Sequence, residues 1–431
     1  MKLLKYLNLT AHDSLLDKIP HGAGQLERSL APIEAVARAT TFLTAQGLEC
    51  AYSELGGSVV TTRCVLHDAS GEVGSGLGKG IGDQSRASAV FEAIEHFYWF
   101  RDQPSLSAIP EPLELDGKDQ RLRQGAPDFA LICSNGLLPL SRIEMQPLKY
   151  DADPLRFPFF LTNPFWKSAY QNENDAIDRF ALRRYSTNSG TASGVTRDEA
   201  VLHGLLETVE RDAISIELLR TVVSKRPAPV RRVNVSHLSP VIGSIAEQVE
   251  TDDIKVIGFW EFTTFDLKIP VGLVGCLDTR TNRIAFGTGA SLLADYAFER
   301  AFLEAIQTVH AYRTLPYQPE VRALPDNAPP YLGCALDRGF FAYRGGETDV
   351  VPLSFQDPAV LTAASPALQV AMICDRLAEL GMVAYSRVLI EDAVSVQQVI
   401  VPELERFHVV SSGVPVLPSA RGRKFLADPF M

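Results

Sequence analysis

Residues 188–213 read "NSGTASGVTRDEAVLHGLLETVERDA". A glycine-rich stretch gives way to a helix signal, because Thr196-x-x-Glu199 has the spacing of a capping box. Along the helix that follows, His203, Glu207 and Glu210 stand at i, i+4 and i+7. At 100° per residue these side chains share a stripe roughly 60° wide. Leu206 and Val209 flank the stripe and draw one edge of it towards a core. Two glutamates a turn apart are ordinarily solvated surface residues. Their meaning depends on whether the layout recurs.

It recurs twice. "GSGLGKGIG" (74–82) precedes "SRASAVFEAIEHFYWF", with Ser88, Glu92 and Glu95 in the same positions. "GTGAS" (287–291) precedes "ADYAFERAFLEAIQTVH", with Arg300, Glu304 and Gln307. Each time a Gly-rich turn is expected to feed a helix carrying a polar ridge beside apolar neighbours such as Phe91, Ile94, Leu303 and Ile306. Turn and helix-terminus N–H groups would suit a phosphate, and carboxylates further along would suit a divalent cation through oxygen ligands. Five glutamates gathered at one place would repel unless a cation sat among them, so a shared metal cage at a nucleotide site is the reading.

Standard nucleotide motifs are missing. A P-loop fails in "GSGLGKG" because Val73 occupies the first glycine position and Gly80 the hydroxyl position, and no register gives G-x-G-x-x-G. The 431 residues carry a net charge of −11, which argues against a dedicated nucleic-acid binder. Six cysteines are scattered without zinc or iron–sulfur spacing, and no 18-residue apolar run appears. A cytoplasmic protein with no membrane attachment is the expectation.

Outward from the ridges, helices are expected at 31–49, 294–313 and 366–381, and strands at 56–68, 178–186, 252–262 and 270–278. Residues 220–240 read as a basic, Pro-containing connection, with Lys225 to Arg232 solvated, and the C-terminal stretch from Ser412 as extended.

The three segments together resemble the YcaO family. "SRASAVFEAIEHF" is similar to the family's S-x-x-x-E-x-x-E-R, with His96 in place of the Arg. The opening segment matches through Asn188, Ala192, Gly194, Glu207, Glu210, Arg211 and Asp212, and the third through Gly289, Ala297, Arg300, Ala301, Glu304 and Gln307. "VIVPELERF" (399–407) resembles the family's C-terminal segment.

The resemblance implies an α/β fold, with mixed sheets covered by helices and pseudo-repeated units converging on one ATP site. It implies residues 1–73 as an N-terminal region packing on a YcaO domain over 74–431. It also implies an ATP- and Mg2+-dependent cyclodehydratase that activates backbone amides of a ribosomally made peptide to form thiazolines or oxazolines. Glu92, Glu95, Glu207, Glu210 and Glu304 would hold magnesium; Ser88, Asn188, Arg211, Gln307 and Lys79 would contact nucleotide. Arg211, Glu207 and Glu210 would be the catalytic set. A separate leader-binding protein, a dehydrogenase and a second copy of the chain are the implied partners. Members forming thioamides or amidines, or assisting methylthiolation of a ribosomal protein, are the alternatives within the family, and a non-catalytic peptide-binding scaffold is the alternative outside catalysis. The ending "ADPFM" lacks the repeated prolines common in azoline-forming members.

Overall fold

The computed structural model describes residues 27–57, 59–102, 111–112, 139–140, 142–149, 152–163, 184–314, 330–334 and 345–430. Helix α1 (Pro32–Ala45) begins with proline in its first turn and stops before Gly47, whose φ of +73° takes the chain out of the helix. It is therefore shorter than expected, and the last expected residue, Glu49, opens β1 (Glu49–Gly56). β1, β2 (Val60–Asp68) and β3 (Gly71–Gly80) form an antiparallel sheet, and α2 (Asp83–Phe100) folds back over β3. The expected division between residues 73 and 74 falls within β3.

β4 (Glu111–Pro112) and β5 (Pro139–Leu140) pair with each other. β6 (Arg142–Pro147), β7 (Leu155–Pro158) and β8 (Thr191–Gly194) precede α3 (Arg197–Leu218). The third unit comprises β9 (Val230–Val233), α4 (Pro240–Glu250), β10 (Ile254–Glu261), β11 (Val271–Asp278), β12 (Arg283–Ala290) and α5 (Ala294–Thr314). After β13 (Glu347–Val350) come α6 (Pro366–Glu379), β14 (Tyr385–Glu391), β15 (Ser395–Ile400) and α7 (Ala420–Ala427). One five-stranded sheet has the order β12-β11-β10-β9-β13, with β13 parallel to β9; the other, β7-β6-β14-β15-β8, is antiparallel throughout. The β1-β2-β3-α2 and β10-β11-β12-α5 units repeat one pattern.

The glycine-rich stretches expected as turns are largely strand. The reason lies in the seam between each strand and its helix. A Cβ on Gly78 would come within 2.0 Å of the Ser85 carbonyl oxygen and 2.1 Å of Ala89 N, and one on Gly76 within 2.4 Å of Ala93 N. Gly287 and Gly289 repeat this against α5, with Ala305 N at 2.2 Å and Ala297 O at 2.5 Å. Alanines on the helix and glycines on the strand thus let main chain lie on main chain. Substituting along β3 should give a graded series. Gly74→Ala, whose Cβ would come no closer than 3.4 Å to any neighbour, the Phe97 Cβ, should cost under about 1 kcal/mol, and Gly78→Ala about 3 kcal/mol or more, read by denaturant unfolding.

Two other readings are corrected. Residues 220–240 contain the π-helical turn Leu219–Val223 and the strand β9, in which Arg231 is buried because Glu217 and Glu261 approach it to 3.9 and 3.6 Å. The C-terminal stretch forms α7, because the Ser419 hydroxyl caps it by accepting from Gly422 N at 3.3 Å. The strand expected at 178–186 lies outside the described residues apart from 184–186. Among the described residues, no helix is long and apolar enough to cross a membrane.

Candidate nucleotide site

The three ridges meet. Lys79, at the end of β3, donates from Nζ to Glu304 Oε2 of α5 at 2.5 Å, and Gln307 Nε2 donates to the Leu77 carbonyl at 2.6 Å. These two contacts join the first unit to the third. From α3, Arg211 lies 3.4 Å from Glu207 Oε1 and 3.5 Å from Glu210 Oε1. Thr288 of β12 donates its hydroxyl to Glu210 at 2.6 Å, and Gly190 N donates to Glu207 at 3.2 Å. Lys79, Glu92, Glu95, Glu207, Glu210, Arg211, Glu304 and Gln307 therefore belong to one cluster. Ser88 is partly buried a turn ahead of Glu92, and Asn188 sits at the turn into β8, where its carbonyl accepts from Thr191 N; neither side chain is tied into the cluster by a described contact.

Electrostatics divide the carboxylates. Burial pushes the Glu95 carboxyl well above the usual carboxylate range, and Glu207 and Glu92 push it further. Burial also raises Glu92 against the pull of His96 and Lys79, and raises Glu207 against the pull of Arg211. Glu304 goes the other way: burial opposes its ionisation, but Lys79, Arg211 and Arg300 hold it below the usual range. Arg211 is likewise desolvated, yet Glu210, Glu207 and Glu304 raise it.

Among the described residues, no three His, Cys, Asp or Glu side chains converge as a ready-made metal site. The five glutamates are thus a cluster partly occupied by side-chain cations rather than a closed cage. The donor set nevertheless fits magnesium with a polyphosphate. Glu92 and Glu207 stay raised despite Lys79 and Arg211, and both raise Glu95, a crowding that a divalent ion bound through carboxylate oxygens would relieve. Lys79, Arg211 and Arg300 could meet phosphate oxygens.

Some participants left no sequence signal. Glu27 accepts from Ser291 Oγ at 2.6 Å and from Arg300 at 3.0 Å; Arg28 donates to His203 Nδ1 at 3.3 Å; Ser29 N donates to the Glu199 carboxylate. Three consecutive residues thus hold the starts of α3 and α5. The capping box is half formed: Thr196 Oγ1 accepts from Glu199 N at 3.3 Å, while the Glu199 carboxylate accepts from Val195 N at 3.0 Å. Burial, then Arg300, Arg28 and Lys79, hold His203 well below the usual histidine range, so this ridge position is a neutral acceptor. His96, at the position where an Arg was expected, hydrogen-bonds through Nδ1 to the Ser75 carbonyl at 2.8 Å.

The fold has counterparts among solved structures. The family model YcaO cyclodehydratase, ATP- and Mg2+-binding, matches residues 77–405. A heterocyclase solved in complex with substrate and cofactor aligns with a TM-score of 0.61 at 18% identity, covering 88% of this chain and 54% of its own. YcaO from Methanopyrus kandleri, bound with AMPPCP and Mg2+, aligns at 0.59 and 21% identity, covering 90% and 95%. The Escherichia coli microcin synthetase McbBCD complex aligns at 0.55 and 12% identity, covering 83% and 88%. An uncharacterized protein of Methanothermobacter thermautotrophicus is 26% identical over 238 residues, 52% of this chain and 54% of that one. This chain therefore spans about half the length of that relative and of the first heterocyclase. With the family model matched from β3 through the segment after β15, the chain belongs to the YcaO family, whose members bind ATP and Mg2+.

Proposed function

We propose that the chain is an ATP-dependent cyclodehydratase that forms thiazolines or oxazolines in a ribosomally made peptide. The observation that carries this is the meeting of the three ridges, the first unit tied to the third through Lys79–Glu304 and the third to α3 through Thr288–Glu210. A Cys, Ser or Thr side chain of the peptide attacks the preceding carbonyl carbon and closes the ring. The resulting oxyanion takes the γ-phosphoryl group of ATP with release of ADP, and loss of phosphate together with the amide N–H proton forms the C=N bond of the azoline. Magnesium, when bound, neutralises charge on the polyphosphate. Glu92, Glu95, Glu207, Glu210 and Glu304 would hold it. Lys79, Arg211 and Gln307, together with Ser88 and Asn188, would position the nucleotide, and Arg211 would face the transferring group. Residues before 74 would support the site through Glu27, Arg28 and Ser29. The substrate would be presented by a separate leader-binding protein, with a dehydrogenase acting on the azoline and a second copy of the chain completing the assembly in the cytoplasm.

The test is mass spectrometry of a Cys-, Ser- and Thr-rich peptide encoded beside the chain, incubated with Mg-ATP and a neighbouring leader-binding protein. The expected product has lost one water per ring, with one phosphate released for each. Exchange of oxygen for sulfur would assign a thioamide instead, and an unaltered peptide with no phosphate release would support the scaffold.

A further inference from the structure

Arg211 has a second face. It also lines a cleft that none of the five ridge glutamates lines, with Thr187, Ser189, Thr208, Val401 and His408 around it. Thr187 and Ser189 share a hydroxyl–hydroxyl contact of 2.8 Å, so the cleft offers polar groups suited to a peptide main chain over an apolar wall. His408 follows the 399–407 segment and is partly buried; the charged groups facing it are Arg211 from α3 and Arg406 from its own segment. Burial, then those two cations, keep its imidazole well below the usual range, hence uncharged.

The tautomer follows from Ser215. Its single hydroxyl proton is given to the Arg211 carbonyl at 2.6 Å, and the oxygen accepts from His408 N at 2.8 Å. Towards His408 Nδ1, 3.5 Å away, that oxygen can then only accept. A neutral ring with hydrogen on Nδ1 carries its lone pair on Nε2, the nitrogen not facing Ser215.

Resting on the cyclodehydratase reading, we infer that the cleft receives the reacting residue of the peptide and that His408 Nε2 is its proton acceptor. The thiol or hydroxyl proton passes to Nε2 as the sulfur or oxygen lone pair forms the new bond to the carbonyl carbon. The carbonyl π pair moves onto oxygen beside Arg211, ready for phosphoryl transfer. The arrangement places the base on one flank of the arginine and the nucleotide on the other.

The experiment uses the full chain with its peptide partner and two versions of the peptide, one with a single Cys and one with a single Ser at the modified position. His408→Gln is expected to slow ring formation about 10²- to 10³-fold on the Ser peptide and markedly less on the Cys peptide, because a thiol ionises more readily. Ser215→Ala, which frees the tautomer, should show the same order with a smaller loss, and keeps the test open if His408→Gln does not fold. Equal rates for wild type and both variants, or equal losses on both peptides, overturn the assignment while leaving the cyclodehydratase reading intact. A wild-type chain that binds Mg-ATP but closes no ring overturns that reading and the proton acceptor with it.

Discussion

The double variant Glu207→Gln, Glu210→Gln should lose Mg-ATP binding by upwards of about 100-fold, measured by titration calorimetry, since it removes two of the five carboxylates proposed to hold the ion. The same substitutions leave the desolvated Arg211 with only Glu304 of the three carboxylates that hold it, and two features limit the resulting loss of stability. Thr288, which donates to Glu210 at 2.6 Å, can still donate to the amide oxygen that Glu210→Gln leaves in that place, and the repulsion that raises Glu95 loses its Glu207 component. A variant that still melts cooperatively but has lost binding therefore separates ligand chemistry from folding. Chelating magnesium should bring wild type down to the level of the variant, and restoring it should rescue wild type alone. A variant that binds as tightly as wild type would remove α3 from the proposed ion site.

The second large effect concerns the C-terminal helix. Asp212, next to Arg211, is fully buried and accepts from Arg421 at 2.7 Å and 2.9 Å and from Glu405 N at 2.8 Å. Arg421 also bonds Asp266 at 2.5 and 3.0 Å. Arg421→Ala would leave a desolvated carboxylate without its counter-charge, and should destabilise the chain by about 3–5 kcal/mol in denaturant unfolding. Converting the pair to Arg421→Met with Asp212→Asn should recover most of that, because the fully buried carboxylate is then neutral and only the partly exposed Asp266 loses its partner. If the single variant unfolds like wild type, α7 is not bound through this pair.

The ridges were legible because a period near 3.6 residues is a property of the chain itself: Glu92, Glu207 and Glu304 align by spacing alone. The strands β10 and β11 and the helices α3, α5 and α6 were legible for the same reason, through runs of buried type and ridge spacing. The role of the glycines was not. A glycine looks the same in a turn and in a strand, and only the position of Ala89 or Ala301 across the seam tells which one is required. Glu27 and Arg28 find their partners 273 and 175 residues away, which no local pattern encodes. Ser419 was readable as a cap, but prolines at 415 and 418 just ahead of it favoured an extended reading.

The glycine–alanine seams carry a consequence for how the molecule accepts change. Side chains in an ordinary interior can swivel when a neighbour is exchanged, so sequence can drift there while the shape survives. Main chain laid against main chain has nothing to swivel. The spacing between each strand and its ridge-bearing helix is consequently set by atoms that every residue type shares, and the carboxylates ride on helices whose height above the sheet has almost no slack. Efforts to diversify this protein should find the broad apolar walls forgiving and a few of its smallest residues immovable.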